Sequence, residues 1–266
     1  MPNLKTISNI LTDKATPIGV LESKETFGIE QEDRKGNMYL LGRSGTGKTI
    51  LLENLIISDL VNSKGGLVID PFGDIVDDTL KYTNKDNVIV FEVVKGDTEF
   101  NINKFKQEID LTEIKNNKFI LCKLSYPVIG SHAAREVGMY ILNEFYKLKN
   151  ELSGASLFVD EFHNFVDDEK NIASNKENGI KCHLADQSLS QYSNEGLQQL
   201  LNVVDHIVCY NVDGKTAKLI AEKFGFNVED LKNVEKYYFY TKLTVDGSKT
   251  DGFKATGIFP LPYPKK

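Results

Sequence analysis

Residues 37–56 read NMYLLGRSGTGKTILLENLI, and three textures in this stretch decide the fold. Asn37 to Leu41 is a short apolar run, Gly42 to Thr49 is rich in glycine, and from Lys48 onward apolar residues recur at helical spacing. The order is therefore strand, loop, helix. The octet Gly42, Arg43, Ser44, Gly45, Thr46, Gly47, Lys48, Thr49 fits GxxxxGK[ST] in full, placed where the chemistry needs it. Loop N–H groups and a helix N-terminus together form a cradle for a triphosphate, because both present unsatisfied donors and positive partial charge. Lys48 is then expected to reach the outer phosphates and Thr49 to hold Mg2+. A chance match in an ordinary turn is the competing reading, and the flanking strand and helix argue against it.

Working outward, GGLVIDPFGD offers a strand over Leu67 to Ile69 closed by Asp-Pro, with a helix over DIVDDTLKY. Strands are expected at Asn87 to Val93, Lys118 to Leu124, ASLFVDE, IKCHLADQ and Asp205 to Val212. Ser131 to Asn150 reads as a long amphipathic helix capped by Ser131, and GKTAKLIAEKFG as a helix stopped by Gly225. Tyr237 to Val245 reads as a late edge strand, and EQEDRKG (Glu30 to Gly36) as a solvated loop. Strands apolar throughout and alternating with helices predict an α/β fold, a mostly parallel sheet covered by helices on both faces.

Two aspartates end apolar strands in the manner of a Walker B acid, Asp70 and Asp160. Only Asp160 is followed by a second carboxylate, Glu161. One acid can support Mg2+ while the next orients and deprotonates an attacking water, so the doublet is what hydrolysis requires. Asp70, with Asp74, is expected to cap a turn. Gln187, at the end of IKCHLADQ, is placed like a polar sensor of the γ-phosphate or water, the alternative being a helix N-terminal residue. LSGAS (Leu152 to Ser156) resembles an ABC signature, but no helix separates it from LFVDE, so a simple turn is expected.

The bulk numbers exclude several classes. The chain has 266 residues, 41% hydrophobic and 26% charged, with net charge -6. That balance is globular, and it argues against a broad basic face coating nucleic acid. No apolar run approaches the roughly 20 residues of a membrane span, and the N-terminus lacks a signal-peptide pattern, so a cytoplasmic protein is expected. Cys122, Cys182 and Cys209 form no CxxC pair and read as reduced thiols. The four histidines are scattered without metal-ligand spacing. Lys265 and Lys266 read as a frayed tail.

Taken in order, GRSGTGKT, LVIDPFGD, LFVDEFHNF, NGIKCHLADQSLSQ and DHIVCYNVDGKTAKLIAEKFG resemble the FtsK/HerA superfamily of DNA-pumping ATPases. The likeness is strongest to the motor domains of type IV secretion coupling and conjugative transfer proteins, and covers roughly residues 27–259. It implies a single RecA-like domain over 37–266 after a lead-in segment, 1–36. It further implies ATP and Mg2+ as cofactors, a homohexameric ring with DNA in its pore, and a channel or portal protein as partner. By matched position Lys48 and Thr49 bind phosphate and Mg2+, Asp160 supports Mg2+, Glu161 activates water and Gln187 senses the γ-phosphate. The family's arginine finger falls on Lys176, which keeps the charge but not the planar fork; Arg135 or Arg43 are the other candidates. No membrane helix or helical insertion between the Walker motifs is evident, as in genome-packaging relatives. Other functions compatible with the motifs are a secretion ATPase acting on protein and a weakly hydrolysing nucleotide switch.

Overall fold

A computed structural model describes residues 4–7, 15–62, 65–93, 108–165, 177–259 and 261–266. Among these, seven strands run parallel in the order β10 (Val204–Cys209), β4 (Asn37–Leu41), β9 (Lys181–Asp186), β8 (Ser156–Asp160), β5 (Gly66–Asp70), β7 (Phe119–Lys123) and β6 (Val88–Glu92). Beyond β10 the sheet continues antiparallel through β11 (Tyr238–Lys242), β14 (Phe253–Thr256), β2 (Ala15–Val20), β3 (Thr26–Glu30) and β1 (Lys5–Thr6). A small hairpin, β12 (Thr244–Val245) with β13 (Ser248–Lys249), stands apart.

The pleat sorts apolar side chains to two faces. Met38 and Leu40 of β4, Val68 of β5 and Phe158 of β8 share one core with α1 (Lys48–Asn62) and α2 (Asp74–Thr79). Tyr39, Leu41, Leu67, Ile69, Leu157 and Val159 face the other way. They pack against α4 (Ser131–Leu148), α5 (Asn194–Val203) and α6 (Gly214–Phe224), the last two flanking β10 in sequence. A short α3 (Tyr126–Ile129) precedes α4, and α7 (Val228–Lys232) follows α6. This is the α/β fold expected, with strands apolar throughout because helices cover both faces. The three cysteines are free and buried, and no helix among the described residues is long and apolar enough to cross a membrane.

Four local expectations change. Tyr238–Lys242 is an interior strand, hydrogen-bonded to β10 on one side and β14 on the other; its alternating pattern reflects the antiparallel flank, not an edge. Ser131 does not cap α4: the cap is Gly130 at φ 83, with no side-chain cap bond. Glu30 closes β3, and the following charge run is not wholly solvated. Arg34 is fully buried, where its guanidinium pairs with Asp59 of α1 and donates to Thr16 (2.7 Å). The C-terminal lysines are not frayed, since the Lys266 N–H donates to the Lys81 carbonyl at 2.9 Å and nearby Tyr263 is buried. By contrast, Gly225 stops α6 in the left-handed conformation, and Ser153–Gly154 form the expected turn before β8.

Candidate nucleotide site

Parallel strands present their C-terminal ends at one edge of the sheet, and the functional side chains gather there. The loop leaves β4 and enters α1, with Gly45 and Gly47 at positive φ (73 and 120), values costly for a side-chain-bearing residue. Lys48 opens α1 and is 7% exposed; its ammonium donates to the Gly42 carbonyl at 2.6 Å. Burial depresses its pKa, opposed by the nearby carboxylates Asp160, Glu161 and Asp186. The loop, Asp70, Asp74, Asp160, Glu161, Gln187 and Tyr237 line one cleft of about 440 Å3. Lys48, Thr49, Asp160, Glu161 and Gln187, expected to act together, therefore share one cavity.

Asp160 ends β8, and its carboxyl is pushed up to about 7, first by burial and then by Glu161 beside it; Lys48 pulls the other way. It accepts no hydrogen bond from a described residue, and among the described residues Lys48 is the cation that stabilises its charge. The Thr49 side chain is exposed at the same cleft. A hydroxyl and an unbonded carboxylate are hard oxygen donors of the kind Mg2+ takes, so the residues fit that ion.

Glu161 adopts the left-handed conformation, φ 48 and ψ 50, and is 6% exposed. Non-glycine residues rarely sit there, and such conformations persist only where surroundings enforce them. One enforcing contact is Gln187, whose amide donates to Glu161 Oε1 at 2.5 Å. Another is Asp186, fully buried at the end of β9. Its Oδ1 accepts the His163 backbone N–H (3.0 Å) and faces His163 Nδ1 (2.8 Å), while Oδ2 accepts the hydroxyls of Tyr39 (2.7 Å) and Tyr192 (2.6 Å). The Asp186 carbonyl also accepts the Gly42 N–H at 3.2 Å. Asp186 thus ties the phosphate loop, the turn after Asp160 and the segment after Gln187 together. Glu161, His163 and Asp186 bring ligand-type atoms within 4.8 Å, but the four hydrogen bonds on Asp186 already use its lone pairs. Burial and Asp186 both raise the pKa of Tyr39, as they do that of Tyr192.

Asp70 caps the turn it ends: its carboxylate accepts the N–H groups of Phe72, Gly73 and Val76 at 2.8 to 3.1 Å. Arg43 is exposed at the loop tip and Arg135 on the first turns of α4. Lys176 lies outside the described residues. Sequence reasoning missed Asp186, Tyr39, His163 and Tyr192, and also Tyr237, whose N–H donates to the Thr46 carbonyl at 2.9 Å. The only available sign was that Asp186 precedes Gln187 at the same strand end; Tyr39 looks like any strand aromatic.

A parallel sheet with this loop between its central strand and α1, and an acid pair two strands away, defines the fold of the P-loop NTPases. Solved structures share it. The genome-packaging NTPase B204 of Sulfolobus turreted icosahedral virus 2, bound to ATP-γS, is 13% identical with a TM-score of 0.56, matching 85% of this chain and 99% of that one. The plasmid coupling protein TrwB, bound to the GTP analogue GDPNP, is 12% identical with a TM-score of 0.65, matching 96% of this chain and 93% of that one. No protein-family model matches the sequence and no curated protein does.

Proposed function

We propose that this chain is an ATP-hydrolysing DNA translocase that works as a homo-oligomeric ring, a hexamer, in conjugative DNA transfer or genome packaging. The observation that carries the reading is the single cleft containing Lys48, Thr49, Asp160, Glu161 and Gln187, on a fold shared along nearly their whole length with a packaging NTPase and a conjugative coupling protein. Residues 37–266 are the ATPase domain, and 1–36 a lead-in whose strands extend its sheet. The working location is the cytoplasm, against a membrane channel or portal.

In this reading the loop N–H groups and Lys48 bind the β- and γ-phosphates, and Thr49 with Asp160 holds Mg2+, which neutralises phosphate charge. Glu161 takes the proton of the attacking water, and Gln187, already bonded to Glu161, couples that carboxylate to the γ-phosphate. Lys176 of a neighbouring copy completes the site. Because Lys48 loses its internal acceptor when it turns to phosphate, ATP binding and release alter the Gly42 end of the loop. Asp186 carries that change to the turns after Asp160 and Gln187.

The test is to trap the ring. Glu161→Gln should sediment with ATP and Mg2+ as an assembly several times the 29.9 kDa chain and retain linear DNA through a salt wash. The wild type with ADP should release it. A monomer under every nucleotide condition would remove the ring.

A further inference from the structure

Two further depressions adjoin the phosphate cleft, and Ile50 of α1 lines all three. The middle one is a narrow apolar neck between Tyr210, Tyr237 and Phe259. The last is a cavity of about 260 Å3 bounded by Glu53 of α1, Asp78 of α2, Lys81 and Tyr82 just after it, and Phe259 and Lys265 of the C-terminal tail. Glu53 is its anomaly. The residue is 6% exposed, yet its carboxyl has no hydrogen-bond partner among the described residues. Of the two lysines that line the cavity, Lys81 pairs with Asp78. The carboxyl therefore opens only on the cavity it lines, and a group held this deep loses much of its hydration with no protein hydrogen bond in return. Phe259, 74% exposed at the rim, is an apolar ring left in water beside it.

The proposed nucleotide site dictates what must lie here. Asp160, Glu161 and Gln187 take the γ-phosphate end, so the α-phosphate falls at the first turn of α1 and the nucleoside leaves over Ile50. Glu53 is one helical turn further along the same face. We propose that this cavity receives the nucleobase of the bound triphosphate, that Phe259 stacks on it, and that the Glu53 carboxyl bonds the base's polar edge, adenine's where the triphosphate is ATP. Burial, with Asp78 and Asp70 nearby, pushes the Glu53 carboxyl up to about 8, so it holds its proton at neutral pH. A neutral carboxyl offers one donor and one acceptor side by side, matching adenine N1 and the N6 amine. An ionised one would repel N1.

This assignment rests on the ATPase reading, and the test separates the two. Binding of Mg·ATP and of Mg·tripolyphosphate is measured by calorimetry on the full chain, wild type and variants. Glu53→Gln keeps one donor and one acceptor and should hold ATP within about threefold. Glu53→Leu keeps volume without hydrogen bonds and should weaken ATP about tenfold or more, and Phe259→Ala, on the surface and harmless to folding, severalfold. Tripolyphosphate, lacking a base, should bind all four alike. Unchanged ATP binding in Glu53→Leu and Phe259→Ala would overturn the base site alone. So would a loss in Glu53→Gln as large as in Glu53→Leu. Failure of the wild type to bind either probe would overturn the ATPase reading together with it.

Discussion

Replacing Asp160 with Asn should make the nucleotide-free protein more stable while ending its hydrolysis. The Asp160 carboxyl sits at about 7 in the folded chain against an ordinary 3.8. A group raised on folding holds its proton more tightly in the native state, so stability falls as pH rises from about 4 through 7 and is level above. Integrating that shift at pH 7 gives an upper figure of about 4 kcal/mol, and screening in an open cleft reduces it to about 2 to 3 kcal/mol. Asn has the same shape without the charge. Urea unfolding of both proteins at pH 4, 5, 6, 7 and 8 measures it: curves coincident at pH 4 should diverge to about 2 to 3 kcal/mol at pH 7 and above. Mg·ADP should then stabilise the wild type far more than the variant. A difference independent of pH, or an Asn variant less stable at pH 7, would refute the view that Asp160 is an uncompensated charge awaiting a cation.

Lys48→Ala should reduce ATP turnover to background, since Lys48 is the cation held between the loop and the Asp160 and Glu161 carboxylates; measurable turnover in that variant would remove the loop from the chemistry. Asp186→Asn should lower kcat by about 10-fold to 100-fold with KM little changed, because it loosens the turn that positions Glu161 without touching nucleotide, and steady-state kinetics with a matching KM increase would contradict this. Arg34→Met should cost about 3 kcal/mol, the lower end for breaking a buried pair, because Lys181 remains 3.3 Å from Asp59. Denaturant titration measures that cost. Burial alone would raise the Asp59 carboxyl, but Arg34, Lys181 and His183 outweigh it and hold it well below the usual range. Its contribution is therefore present above about pH 4 and lost on further acidification, and in Arg34→Met the acid transition should shift upward.

What could be read from sequence was what repeats locally. The run from Asn37 to Asn62 announced strand, loop and helix because each texture has its own period, and Asp160-Glu161 stood out as two acids ending an apolar strand. The cap at Asp70 was legible for the same reason: its partners are two to six residues away. Illegible features depend on distant pairings. Arg34 belongs to a charge run in sequence, and only the packing of α1 brings Asp59 to it. Asp186 gathers donors from Tyr39 and His163, 147 and 23 residues away, through strand register that no local pattern encodes. The interior position of Tyr238–Lys242 was hidden because its second neighbour, β14, pairs through a return of the chain.

The central claim is that this cleft burns ATP to move DNA. Steady-state turnover of the purified chain without nucleic acid, with double-stranded DNA and with single-stranded DNA, at low and moderate salt, tests it most directly. A DNA-driven motor should show turnover that one form of DNA raises several-fold, that moderate salt suppresses because phosphate contacts weaken steeply with ionic strength, and that Lys48→Ala abolishes. Robust turnover indifferent to both forms of DNA at every salt concentration would contradict it.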